Sequence, residues 1–154
     1  MNSIMAIGVA VSPRRWLYLP ISIQLREFEG NALLAFEAAK RGWGVVVCRK
    51  MPREKQRWPR GVIIEKNIGP GHRFDDILEW QADGGKTVAW GEEGLVYHNA
   101  EAYGRRKLDL KTYKLLEKYF CWGQNEATDL VERLGCSRDK IKVTGNPRFD
   151  LHRS

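Results

Sequence analysis

FEGNALLAFEAAKRGWGVVVC, residues 28–48, is the stretch whose reading decides the fold. Ala32, Ala35, Phe36 and Ala39 recur at three- and four-residue spacing, which predicts a helix over 28–41 with those side chains inward and Gly42 as its stop. Gly44–Cys48 is a continuous apolar run, the pattern of a strand covered on both faces, as in a parallel sheet. Just upstream, Trp16–Ile23 is rich in strand formers, with Pro20 better suited to a strand end than to its middle. Strand, helix and strand make a βαβ unit, whose crossover should be right-handed.

Working outward, the same alternation continues. Val62–Glu65 reads as a strand, Phe74–Ala82 as a helix with Phe74, Ile77 and Leu78 on its buried side, and Thr87–Trp90 as a strand after Gly84-Gly85. Leu110–Lys118 reads as a helix, Tyr119–Trp122 as a strand, Asn125–Leu134 as a helix capped by Asn125, and Ile141–Thr144 as a final strand. This predicts an α/β fold, a Rossmann-like parallel sheet with helices on both faces. A chain of 154 residues with 43% hydrophobic content has material for one sizeable core. One domain is therefore expected over 15–147, after an N-terminal extension, 1–14.

The net charge of +7 is unevenly placed: residues 1–73 hold 13 Lys/Arg against 5 Asp/Glu, and residues 74–154 hold 13 against 14. Cys48, Cys121 and Cys136 form an odd set with no CxxC pair, which fits reduced thiols in a cytoplasmic protein. Met1–Val11 lacks a basic start and is far shorter than the ~20 residues of a spanning helix.

Chemistry is expected where Thr87–Trp90 ends. Glu92 and Glu93 fall just past the carboxyl end of that strand, the edge at which open α/β sheets bind ligands, and Gly94 permits a sharp turn after them. Adjacent side chains on extended backbone point to opposite sides, so one glutamate faces a cleft and the other caps, pairs or meets solvent. Glu92 is the first choice for a general base. Tyr97 and His98 follow closely enough to line the same cleft, with a core tyrosine and a loop histidine as the plainer readings. A solvated acidic turn is the plain reading of the pair itself. No GxGxxG follows the first strand, where Pro20-Ile21-Ser22-Ile23 stands, and there is no Walker A sequence, so no bound dinucleotide or other resident cofactor is expected. His72, His98 and His152 form no metal-binding pair, and no metal site is expected.

The densest charge lies over Arg49–Arg60, with Arg53, Lys55 and Arg57 at its centre and Met51 and Trp58 interleaved. Tryptophan beside cations suits the headgroup level of an anionic membrane, and the same charges would attract phosphates; a solvated loop is the plain alternative. Nucleic acid is the weakest partner, since no recognition motif accompanies the charge.

The chain turns out of its last strand at Thr144-Gly145-Asn146-Pro147. VTGNPRFD (143–150), RWLYLPI (15–21), Arg26-Glu27-Phe28, WGEEGLVY (90–97) and Trp122-Gly123 together resemble, in order and spacing, the bacterial surface carbohydrate (surface polysaccharide) biosynthesis protein family, over about Arg15 to Leu151. The resemblance implies a glycosyltransferase-like protein of the GT-B fold, with two Rossmann-like domains and a cleft between them. This chain corresponds to the first, acceptor-binding domain, with 148–154 beginning an interdomain connection and the donor-binding domain missing. Glu92-Glu93-Gly94 is also similar to the acidic motif of bacterial sialyl- and polysialyltransferases, which implies a general-base role for Glu92 on a carbohydrate acceptor. Their His-Pro motif has no counterpart here. A nucleotide-sugar donor, by analogy a CMP-sugar, is accordingly expected only with the complete protein, at the inner face of the membrane. The competing expectation is a non-catalytic α/β binding module or truncated remnant.

Overall fold

The structure is a computed structural model, and it describes residues 5–7, 14–49, 58–71, 73–91 and 99–151. In chain order the elements are β1 (Met5–Ile7), β2 (Trp16–Pro20), α1 (Gln24–Lys40), β3 (Gly44–Cys48), β4 (Val62–Glu65), α2 (Phe74–Ala82), β5 (Lys86–Trp90), α3 (Ala100–Lys107), α4 (Leu110–Leu115), β6 (Lys118–Cys121), α5 (Gln124–Glu132), β7 (Ile141–Val143) and α6 (Pro147–Asp150). They build one seven-stranded sheet in the order β1-β3-β2-β4-β5-β6-β7. Six strands are parallel, and β1 pairs antiparallel with β3 at one edge. The α/β, Rossmann-like arrangement is therefore present, and β1 adds a strand within the stretch read as an extension.

The all-apolar run at β3 has its explanation in the layers. Val45 packs with Leu17, Leu19 and Ala35 on the α1 side, whereas Val46 packs with Tyr18, Ile63, Ile77 and Trp80 on the α2 side. Successive strand residues point to opposite faces, so a strand between two helical layers must be apolar at every position. Each such burial contributes about 1.5–3 kcal/mol. A third cluster, around Leu108, Tyr113, Leu116, Tyr119, Cys121 and Leu130, fills the space under α3, α4 and α5.

Several elements depart from the sequence reading for identifiable reasons. Helix α1 starts at Gln24 rather than Phe28, because the Glu27 carboxylate accepts the Ser22 and Ile23 N–H groups at 2.7 and 3.2 Å and so caps a turn that has no Ser, Thr, Asn or Asp N-cap. Phe36 is 59% exposed, with the Lys40 ammonium over its ring, while Ala35 and Asn31 face inward. Small residues are needed on that side because α6 lies close: a Cβ on Gly30 would stand 3.2 Å from the Arg148 backbone nitrogen. In α2 the inward pair is Ile77 and Trp80, and Leu78 is exposed. Trp80 meets Tyr18 edge-on at 5.2 Å and donates its indole N–H to the Lys86 carbonyl, in a space that exists because Gly85 has no Cβ.

Helix α5 starts at Gln124 with Gly123 as N-cap, so Asn125 is not the cap. Glu126 instead accepts the Trp122 N–H from within the first turn. The predicted helix over 110–118 ends at Leu115, and β6 begins at Lys118. Helix α3, with Asn99 accepting the Ala102 N–H at 2.7 Å, was not expected at all. Of residues 148–154, read as the start of a connection, Arg148–Asp150 belong to α6, which packs against α1, and 152–154 lie outside the described residues. Among the described residues no helix is long and apolar enough to cross a membrane.

Candidate functional site

Strands β2 and β3 run to one side of the sheet and β4 to β7 to the other, so the chain order reverses between β2 and β4. At such a reversal the helices that follow the two strands cover opposite faces, and a crevice opens at the strands' carboxyl ends. Here a cavity of about 170 Å³ occupies that place. Ser22, Ile23 and Glu27 enter it from β2 and α1, Lys66, Asn67 and Ile68 from the turn after β4, and Ala89, Trp90 and Gly91 from the end of β5. Tyr103 and Lys107 of α3 and Tyr119 of β6 complete its wall.

A buried ion pair spans the reversal. Lys66 Nζ donates to Glu27 Oε2 and, at 3.0 Å, to Ser22 Oγ, with 14% of the lysine side chain and 2% of the glutamate side chain exposed. One carboxylate oxygen thus gathers the end of β2, the start of α1 and the turn after β4. Burial works against the Glu27 charge, but the Lys66 hydrogen bond and the Ser22 and Ile23 N–H groups outweigh it, and its pKa ends below the ordinary glutamate value. The turn after β4 is fixed further by Asn67 Oδ1, which accepts the Gly69 N–H at 2.8 Å, and by the Ile68 carbonyl, which accepts the Asp109 N–H at 2.7 Å.

Behind Tyr103 and Tyr119 of the wall lies a buried polar cluster. Glu126 accepts the Tyr103 hydroxyl at 3.1 Å and the Trp122 N–H at 2.8 Å, and the Trp122 indole N–H donates to the Gly91 carbonyl. Burial pushes the Glu126 carboxyl up, against the opposing pull of the Trp122 N–H and the Tyr103 and Tyr119 hydroxyls. At the end of β4, Glu65 is 3% exposed and pairs with Arg73 at 3.5 Å; burial pushes its pKa up as well.

Glu92, Glu93, Gly94, Tyr97 and His98 lie outside the described residues, as do Arg53, Lys55 and Arg57. The chain enters the first of these stretches from Gly91, which is part of the cavity wall, and returns at Asn99, the cap of α3. The basic stretch leaves from Arg49, after β3, and returns through Trp58, Pro59 and Arg60. Arg60 is held at the amino edge of the sheet by Asp83 at 2.8 Å and lies over the Trp80 ring. Sequence reasoning did not single out Ser22, Lys66, Asn67, Tyr103, Tyr119 or Glu126 as site residues. The available signal was position: Ser22, Lys66 and Glu126 each stand within a few residues of a strand's carboxyl end.

A larger, apolar trough of about 350 Å³ lies between α1 and α6, over the uncovered face of β4, β5 and β6. Its wall is Leu34, Trp43, Val62, Val88, Phe120 and similar side chains, with few groups that could orient a polar ligand or move a proton. The smaller cavity, with convergent polar groups at the chain reversal, is the better candidate for chemistry. Among the described residues no group of His, Cys, Asp and Glu is arranged to hold a metal ion. No family model matches the chain, and neither the curated proteins nor the solved structures include a significant match.

Replacing Lys66 by Met removes a charge-assisted hydrogen bond from a buried carboxylate, which should lower stability at neutral pH by about 1.5–3 kcal/mol in urea titrations. Because the Glu27 pKa is depressed in the folded state, the stability it contributes is present above the unfolded value and is lost as pH falls through the folded one. The difference between wild type and Lys66→Met should therefore shrink on acidification. A difference independent of pH would show that the pair does not hold the reversal together.

Proposed function

We propose that the chain is the acceptor-binding part of a glycosyltransferase-like protein of surface polysaccharide biosynthesis, acting with a donor-binding domain that supplies a nucleotide sugar. The observation that carries this reading is the position of Gly91. It forms part of the wall of a polar cavity at the reversal of a parallel sheet, and the next residue is Glu92. Inverting glycosyl transfer needs a base within hydrogen-bond reach of the acceptor hydroxyl, and a carboxylate leaving the sheet at this edge serves that need. The sequence motifs that resemble the surface carbohydrate family support the same reading. RWLYLPI ends one residue before Ser22 of the cavity wall, and WGEEGLVY begins with two residues of that wall, Trp90 and Gly91. In the complete transfer reaction Glu92→Gln should lower the rate about 10²–10⁴-fold with little change in acceptor affinity, and Glu93→Gln should cost much less. Near-normal turnover by the Glu92→Gln protein would remove the general base from this account.

The same reading sets Arg53, Lys55 and Arg57 against the phosphates of an anionic membrane, where such a glycan would be assembled. Binding to vesicles rich in anionic lipid should weaken steeply with salt, and replacing the three residues by Ser should abolish it. Undiminished binding by the triple variant would assign the cluster to solvent.

A further inference from the structure

The helices cover the two faces of the sheet unequally. Each step from β4 to β5, β6 and β7 moves one strand in the same direction, and right-handed crossovers that move one way place their helices on one face. Helices α2, α4 and α5 accordingly pack against Ile63, Ala89, Tyr119 and Cys121. The other face of β4, β5 and β6 is left, among the described residues, to α1 and the short α6, and the trough of about 350 Å³ lies there. Parallel sheets are ordinarily buried on both faces, yet Leu34, Ala38, Trp43, Val62 and Phe120 of the trough are only partly buried.

The two ends of the trough differ. At the carboxyl edge α6 leads from β7 back to α1, close enough that only glycine fits at position 30, and Pro147 and Asp150 of α6 form part of the wall. At the amino edge the sheet carries a row of lysines. Lys86, Lys118 and Lys142 stand two residues before Val88, Phe120 and Thr144 of the trough wall, and residues two apart on a strand share a face. The register sets Lys86 beside Val62, Lys118 beside Val88 and Lys142 beside Phe120, so the three succeed one another across β5, β6 and β7 along the margin of the trough. Arg15 adds a fourth cation at this edge, its guanidinium 5.0 Å from the centre of the Trp43 ring. These cations flank the trough and do not line it. Lys118 donates to the Asp139 carbonyl at 2.8 Å, whereas Lys86, Lys142 and Arg15 are exposed and form no ion pair among the described residues.

We propose that the trough holds the alkyl chain of a single-chain lipid with an anionic head group, the chain lying over β4, β5 and β6 with its tip toward α6 and the head at the row of lysines. This ligand is distinct from the one that the polar cavity receives, and the inference does not rest on the acceptor reading.

The chemistry of the wall favours such an occupant. An alkyl chain needs no hydrogen-bond partners, and the floor and sides of the trough supply almost none. The floor runs roughly 13 Å from Lys86 to Trp90, at about 3.3 Å per strand residue. A covering helix from another protein would have to stop short of α6, whereas the tip of a chain can end against Pro147. Charge fixes the direction: cations gather at the amino edge, and the one acid of the trough wall, Asp150, stands at the other end. Lysine holds a phosphate as a point charge, without the forked geometry that arginine imposes.

Titrating the chain with dodecyl phosphate, below its micelle concentration, tests this by calorimetry and backbone amide spectra. One equivalent should bind, with saturable shifts at Leu34, Trp43, Val88 and Phe120 and none at Ser22, Asn67 or Gly91. Decyl phosphate should bind about tenfold more weakly, since each buried methylene is worth a factor of about four. Dodecyl maltoside, with the same chain and a neutral head, should also bind about tenfold more weakly, and inorganic phosphate should leave the trough amides unmoved. Replacing Lys86 and Lys142 together by Ser should bring dodecyl phosphate down to the level of the maltoside and leave the maltoside unchanged. Ala38→Phe, which fills the trough, should abolish binding of both; the exposed lysine variant serves where this one does not fold. Equal binding of the two dodecyl compounds, or shifts outside the trough, would overturn the proposal. A dimer in sedimentation equilibrium that dodecyl phosphate leaves intact, with the trough amides unmoved, would assign this face to a second copy of the chain and overturn it as well.

Discussion

The hydrogen-bonded ion pair between Lys66 and Glu27 is the constraint on which the rest of the site depends. Among the described residues it crosses the one parallel pair of neighbouring strands not joined by a helix between them, where the backbone ladder is also shortest: only Leu17 and Tyr18 of β2 register with Val62 and Ile63 of β4. Elsewhere each parallel pair is backed by a packed helix. At the reversal the two halves separate toward the carboxyl edge, and a side-chain bridge closes the gap. The exposed pairs of Glu37 with Lys40 and Arg41 are also hydrogen-bonded, yet they lie in solvent, where screening leaves an ion pair little net effect. Burial is what makes the Glu27 pair consequential, since each charge there would be costly without its partner.

From this bridge the cavity follows. The pair fixes Ser22 and the turn at Asn67 on one side, and β5 ends at Trp90 and Gly91 on the other. Trp122 holds the Gly91 carbonyl, and its ring packs edge-on against Phe149 of α6 at 5.2 Å. Residues far apart in the chain, at 91, 122 and 149, thereby fix the end of β5 at Gly91. The carboxyls on and behind the cavity wall are also disposed to differ in ionisation. Glu27 is held in its charged form by donors, whereas burial favours the neutral form of Glu126. Two carboxyls pushed in opposite directions by their surroundings are what acid and base roles require of one site.

Much of the fold was legible because two helical layers demand continuous apolar strands, and β3, β4 and α2 were read to the residue from that demand. What escaped depends on contacts between distant segments. Helix α3 has a charged composition and an internal glycine, Gly104, which costs helical propensity; that glycine lets the Leu134 side chain close onto the helix, a contact no local pattern encodes. Ala35 is buried as read, but Phe36 and Leu78 face outward and Trp80 inward, which the approach of α6 and the gap at Gly85 decide. The Asn125 cap was misplaced because Glu126 reaches back to Trp122 and starts the helix earlier. The site was legible in its location, the carboxyl edge after β5, but the partners that give it chemistry are single residues on six different elements. Tyr103 stood on a helix the periodicity did not show.

The central claim is that the polar cavity at the chain reversal, and not the larger apolar trough, receives the ligand. Backbone amide spectra of the chain titrated with oligosaccharide fragments of bacterial surface polysaccharides test it most directly. The account predicts saturable shifts at Ser22, Lys66, Asn67, Gly91 and Tyr103, with Leu34, Trp43 and Phe120 unmoved. Shifts confined to Leu34, Trp43 and Phe120 would contradict it.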